Sequence, residues 1–131
     1  MKKDIANRAD IKQLIDTFYT KVQVDETIGY LFTEVARVNW EQHLPRMYDF
    51  WENILFQTGS FKGNPMVAHM QLHQKSPLTA AHFERWQQLF LTTVDELFDG
   101  EMAELIKQRA RSIATMMQIK VFPTNDPKSI M

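Results

Sequence analysis

Hydrophobic residues recur along this chain mainly with the three- and four-residue spacing of amphipathic α-helices. The first such stretch follows Asn7 and Asp10, either of which can cap a helix N-terminus. Its apolar positions are Ile11, Leu14, Ile15, Phe18 and Val22. Tyr19 follows Phe18, so we expect it at the edge of the buried face of this helix.

A second helix is predicted from about Trp40 to Phe56. Asn39 and Gln42 resemble a capping box at its start. Pro45 complicates that start, because a proline beyond the first turn removes a backbone donor. Either the helix begins nearer His43, or its opening turn is distorted. The predicted buried stripe comprises Leu44, Met47, Trp51, Ile54 and Leu55.

Breaker residues divide the rest of the chain. Thr58-Gly59-Ser60 ends the second helix, and Gly63-Asn64-Pro65 opens a short segment that carries Met66, His69, Met70 and His73. Ser76-Pro77 predicts the start of a third helix, which Asp99-Gly100 ends. The third helix has apolar positions at Phe83, Trp86, Phe90, Val94 and Leu97, and the last helix has them at Met102, Leu105, Ile106, Ile113, Met116 and Met117.

No stretch alternates with period two for long enough to form a strand, so we predict an all-α fold. It should contain four substantial helices and two short ones, of which the first lies between Thr27 and Phe32. The length of 131 residues fits one domain, which we place at residues 1–119. Residues 120–131 contain two prolines and no periodicity, and are predicted to form a loosely ordered tail.

The charge balance and the absence of Cys exclude several classes of function. The chain has 15 Lys plus Arg against 16 Asp plus Glu, so it offers no positive field that would attract nucleic acid. It has no Cys, which rules out disulfides and thiolate sites and suits a reducing compartment. No segment has the apolar length of a membrane span, and we expect a cytoplasmic protein without a membrane partner.

The 4 histidines are the best candidates for binding a transition metal. His43 lies one turn before Met47, at the start of the core-facing stripe, and His69 lies on a face with Met66 and Met70. A helix of about 22 Å and a glycine turn separate the two imidazoles, so the chain can place one on each side of a flat cavity. A planar macrocycle such as haem needs that arrangement with apolar flanks. Taken alone, such a pattern more often reflects ordinary core packing.

A resemblance to a known family favours the haem site over ordinary core packing. Six segments occur in the order and spacing typical of group III truncated haemoglobins, and the resemblance covers about residues 8 to 119. The segments are Phe18-Tyr19-Thr20-Lys21-Val22, Trp40-Glu41-Gln42-His43-Leu44, Phe50-Trp51, Gly63-Asn64-Pro65 through His69, Phe83-Glu84-Arg85-Trp86 with Leu89-Phe90, and Thr93-Val94. The resemblance implies a shortened globin fold, a two-over-two helical sandwich around haem b.

The resemblance also implies roles for individual residues. His69 matches the proximal iron ligand, and Tyr19, His43 and Trp86 match the residues on the distal side, where the gas ligand binds. Phe32 matches the phenylalanine that packs on the haem. We further expect contacts with the haem from Met47, Met66 and Phe90, and we expect the propionates near Arg46, Lys62 and Lys75.

The function implied by the resemblance is binding of diatomic ligands at a five-coordinate ferrous iron. Dioxygen, carbon monoxide and nitric oxide are the expected ligands, with tight binding and slow release because Tyr19 and Trp86 are hydrogen-bond donors. Nitric oxide conversion or peroxide chemistry is also compatible with it, with electrons from a separate, unidentified reductase. Two other interpretations stay open: a non-haem metal site formed by His69 and His73, and a cofactor-free helical interaction module.

Overall fold

The computed structural model describes residues 2–59 and 76–121. Within these ranges the chain forms four α-helices and no strand, so the all-α prediction is confirmed. The helices are α1 (Arg8–Gln23), α2 (Trp40–Phe56), α3 (Ala80–Leu97) and α4 (Glu101–Val121), and a π-helix, Leu31–Val35, lies between α1 and α2. None of the helices in the described part is long and apolar enough to cross a membrane.

Helix α1 follows its sequence pattern closely. The side chain of Asn7 caps it by accepting a hydrogen bond from the backbone N–H of Asp10 at 3.1 Å. All five predicted apolar positions are fully buried: Ile11, Leu14, Ile15, Phe18 and Val22. Tyr19 is only 5% exposed, so it lies inside the core and not at its edge.

Helix α2 begins at Trp40 and runs through Pro45 without a break, so the alternative of a start nearer His43 is wrong. The Asn39 side chain caps it through the backbone N–H of Glu41 and not through a capping box with Gln42. Of the predicted stripe, Trp51 and Leu55 are buried, and the other members pack against the core while partly exposed: Leu44, Met47 and Ile54.

Helix α3 begins at Ala80, three residues after the predicted Ser76-Pro77 start. Thr79 is the N-cap, and it forms a capping box in which His82 occupies the third helical position. Histidine is an unusual residue for that position, which is why the sequence pattern did not indicate this start.

Helix α4 buries a face rich in small residues. Its buried side chains in the described part are Ala103, Ile106, Lys107, Ala110, Ala114 and Met117. Met116 was predicted to belong to this face but is 53% exposed, because successive helical residues point about 100° apart and Met117 takes the inward position. Lys120 and Val121 continue the helix, while the proposed division at residue 119 stays a prediction.

The helices pack as two pairs. Helix α1 contacts α2, helix α3 contacts α4, and the pairs meet where α1 crosses α3 and α2 crosses α4. This is the two-over-two arrangement expected from the resemblance. Phe18 and Phe90, both fully buried, pack edge to face with their ring centroids 5.1 Å apart at the contact between α1 and α3.

Candidate functional site

A cavity of about 230 Å³ opens beside the π-helix and the first turns of α2 and α3. Most of its lining is apolar, and the two imidazoles are exceptions. The described residues that line it are Ile28, Leu31, Phe32, Ala36, Val38, His43, Leu78, His82, Phe83, Trp86 and Met117. Three of the predicted site residues, Phe32, His43 and Trp86, therefore meet at one cavity.

His43 reaches the cavity from the first turns of α2. Its Nε2 atom is buried, although the residue as a whole is half-buried. The imidazole lies edge-on to the ring of Tyr19, with centroids 5.2 Å apart and planes at 82°. Helix α2 thus contributes a polar imidazole to a cavity with a mainly apolar described lining.

Tyr19 is not among the lining residues, but it contacts two that are. Its ring centroid lies 5.2 Å from that of His43 and 5.9 Å from that of Phe32. Burial raises the pKa of its hydroxyl, and no hydrogen bond contributes to that shift. Tyr19 therefore keeps its proton at neutral pH and can act as a donor.

Trp86 lines the cavity from α3 and rests on an aromatic core. Its ring stacks on Phe90 at 5.7 Å and meets Phe18 edge to face at 5.9 Å. Phe90 in turn stacks on Trp51 at 4.7 Å. Phe90 is fully buried and is not among the described lining residues of the cavity. Its ring therefore supports Trp86 from the side of the core.

The other predicted site residues fall into two groups. Met47 packs partly buried against the core, and Arg46 is exposed on α2; neither lines the described cavity. His69, Met66, Lys62 and Lys75 lie outside the described residues, as does His73. In the part of the chain that is described, no three His, Asp or Glu side chains are grouped so that they could hold a metal ion.

Trp40 belongs to the site but was not assigned a role from the sequence. Its ring centroid lies 5.4 Å from that of Tyr19, 5.5 Å from that of His43 and 6.2 Å from that of Phe32. The signal was present, because Trp40 precedes His43 by three residues and so lies on nearly the same face of α2.

His82 also reaches the cavity, although no role was assigned to it from the sequence pattern. Its Nδ1 accepts the backbone N–H of Thr79 at 3.1 Å, and its Nε2 lies 3.2 Å from the hydroxyl of Tyr30. With Nδ1 accepting, the neutral ring carries its proton on Nε2 and donates it to Tyr30. Burial lowers the pKa of His82, which favours this neutral form.

Comparison with known proteins identifies the family. Residues 3–121 match the bacterial-like globin family. The chain is 31% identical over 121 residues to a group 3 truncated hemoglobin of Campylobacter jejuni, a match that covers 90% of this chain and 93% of that protein. A crystal structure of group III truncated hemoglobin from Campylobacter jejuni matches with a TM-score of 0.82 and 28% identity, covering 95% of this chain and 98% of that one. The chain therefore belongs to the bacterial-like globins and, within them, to the group III truncated haemoglobins.

Proposed function

We propose that the cavity holds haem b, with His69 as the iron ligand, and that the protein binds dioxygen tightly and releases it slowly. Globin family membership implies haem, and the lining of this cavity fits one. Phe32, Trp86 and Phe83 offer aromatic surface for a porphyrin, and the imidazoles of His43 and His82 add polar groups to the mainly apolar described lining. Among the described residues, those best placed to contact the ring are therefore Phe32, Phe83 and Trp86.

The observation that carries the proposal is the convergence of Tyr19, His43 and Trp86 from three different helices. Two of them line the cavity, and Tyr19 contacts His43 directly. An apolar cavity on which a few polar side chains converge is typical of a cofactor or ligand site.

A bound haem supplies an iron position that a diatomic ligand can occupy. The residues of the chain decide how long that ligand stays. The indole N–H of Trp86 can only donate, and the Tyr19 hydroxyl stays protonated because burial raises its pKa. Each hydrogen bond donated to a ligand with partial negative charge contributes about 1 kcal/mol in a dry cavity. Two donors therefore favour slow release over bulk oxygen delivery.

A second candidate function is turnover of peroxide or nitric oxide, and the position of His43 favours it. His43, which has a buried ring nitrogen, lies against the ring of Tyr19, so a proton acceptor and a proton donor lie close together near the cavity. His43 would accept the proton of a peroxide while Tyr19 donates to the developing negative charge. Electrons would come from a separate reductase, and the lack of Cys suits the cytoplasm, where such reductants are present.

Absorption spectra of the protein purified with haem test the main proposal. We expect an intense violet band that shifts on reduction and again with carbon monoxide. His69→Ala should lose this band or retain haem only weakly, since apolar burial alone holds porphyrin poorly.

His73→Ala is the matched control, because it lies four residues from His69. It should keep the wild-type spectrum. A colourless protein in which both variants lose a bound metal equally would instead favour the non-haem site formed by His69 and His73.

A further inference from the structure

The ring of Trp40 is the common neighbour of three other aromatic residues at the site. It stacks against Phe32 with planes at 21°, meets His43 edge to face at 87°, and lies tilted against Tyr19. Phe32 belongs to the π-helix, Tyr19 to α1 and His43 to α2. Trp40 therefore joins three elements at the point where the imidazole enters the cavity.

The backbone around Trp40 is poorly suited to hold His43 by itself. Pro45 has no N–H, so the carbonyl of Glu41 receives no helical hydrogen bond from the residue four positions later. The segment before the helix contains Arg37 with a positive φ of 50°, a conformation that few residues adopt. Side-chain packing must therefore supply part of what fixes this turn.

We propose that Trp40 is a positioning residue that holds the imidazole of His43 in the cavity and so sets the rate at which gas ligands reach it. The inference rests on the proposed haem function. Trp40 is absent from the cavity lining, so it acts through His43 and not by contact with a ligand. Loss of its ring removes an edge-to-face contact from the imidazole of His43, which then spends less time in the cavity.

The test measures carbon monoxide association and the C–O stretching band in the haem-loaded protein. Trp40→Leu removes the ring, and Trp40→Phe keeps a smaller one. We expect about threefold or faster association in Trp40→Leu, an intermediate rate in Trp40→Phe, and a shifted C–O band, because the band senses the dipole of the nearby imidazole.

Two further variants distinguish positioning of His43 by Trp40 from a general loosening of α2. In a His43→Leu background, Trp40→Leu should change the association rate by less than about 1.5-fold, since the group it positions is gone. Tyr48→Phe breaks the hydrogen bond from Tyr48 to Asp16, which also ties α2 to α1, but Tyr48 is outside the ring cluster. This control should leave the association rate and the C–O band at wild-type values.

Unchanged rates and band in Trp40→Leu overturn the proposal, and so does an equal effect of Trp40→Leu with and without His43. A shift of the same size in Tyr48→Phe also overturns it, because loosening of α2 would then suffice. Failure of the underlying function looks different: the wild-type protein would show no haem spectrum at all.

Discussion

Tyr19 combines two properties that rarely occur together, deep burial and a hydroxyl whose pKa no hydrogen bond alters. Burial disfavours the phenolate, so the side chain keeps its proton at physiological pH. A phenol held in an apolar wall can donate to a ligand without competition from water. The residue thus behaves as a fixed dipole.

Replacing Tyr19 with Phe keeps the ring and removes only the hydroxyl, so packing changes little. Loss of a hydrogen bond of about 1 to 2 kcal/mol corresponds to roughly 5- to 30-fold in equilibrium affinity. Most of that factor should appear as faster dioxygen release in stopped-flow measurements, with a much smaller effect on carbon monoxide, which is less polar when bound.

Trp86→Phe should act in the same direction, and the double variant should deviate from additivity because both donors serve one ligand. Equal effects on dioxygen and carbon monoxide would contradict the donor role and indicate a steric one.

The structure brings some of the residues singled out from the sequence to one cavity and places others elsewhere. Phe32, His43 and Trp86 follow from pattern and family resemblance, and the structure brings all three to one cavity. The sequence pattern did not indicate a role for Trp40, because an aromatic residue at the start of a helix is usually part of the hydrophobic core. Phe90 was expected to flank the cofactor but lies behind Trp86, since periodicity gives the face of a helix and not its depth.

At the scale of elements, the start of α3 depends on one titratable residue. His82 accepts the backbone N–H of Thr79 through Nδ1, and protonation of that atom ends the bond. Burial lowers the pKa of His82 below its ordinary value of 6.5, so the unfolded chain takes up the proton first. The contribution to stability is therefore present above about 6.5 and is lost as the pH falls from there toward the folded pKa.

His82→Gln removes this titration, because glutamine at the same position can complete a capping box without gaining a proton. Between pH 7 and pH 5, the free energy of unfolding in urea should fall more for the wild-type protein than for the variant. The expected difference is about 0.5 to 1 kcal/mol, the usual value of a cap. Parallel pH profiles would show that His82 is not the titrating group.

The N-terminus of helix α4 is capped by a residue near the start of the chain. Gly100 has no side chain to offer, and Asp4 instead accepts the backbone N–H groups of Met102 at 2.9 Å and Ala103 at 2.8 Å. Partial burial alone would raise the pKa of Asp4, but these bonds and one from Ile5 outweigh it and hold the pKa below 3.8. No local pattern indicates a cap from 98 residues away, so the sequence did not predict it.

Asp4→Ala should lower the free energy of unfolding by about 1 to 2 kcal/mol at pH 7, because both amides lose their acceptor. Asp4→Asn, which keeps the acceptor oxygen, should cost less than half of that. Since the folded pKa is depressed, the advantage of Asp over Asn exists above pH 3.8 and vanishes as the pH falls through the folded value. A cost for Asp4→Ala that is unchanged at acid pH would count against this account.

On the scale of the whole molecule, partly exposed ion pairs connect α1 and the turn after it with α3. Lys21 of α1 pairs with Glu96 of α3 at 2.8 Å, and Arg85 of α3 pairs with Asp25, after α1, at 2.7 Å. The two-over-two arrangement of the helices was expected from the family resemblance, whereas the apolar stripes indicate only that each helix packs against another element. The π-helix could not be predicted, since five residues carry no detectable period.

Filling the apolar cavity should stabilise the entire fold. A ligand that binds only the native state adds about 4 kcal/mol when its free concentration exceeds Kd a thousandfold. Urea unfolding of haem-free and haem-loaded protein should therefore give a clearly higher midpoint with haem. His69→Ala should gain much less, and identical midpoints for the wild-type forms would contradict haem binding in the cavity.

The positions of the tryptophans at and around the cavity have a practical consequence. The sequence contains 3 tryptophans, and Trp86 lines the cavity, Trp40 touches its imidazole, and Trp51 stacks on the ring that supports Trp86. A porphyrin absorbs where indoles emit, and energy transfer is efficient over such short distances. We therefore expect haem binding in this cavity to quench the tryptophan fluorescence of the protein, so that uptake and loss of the cofactor can be timed without an attached dye.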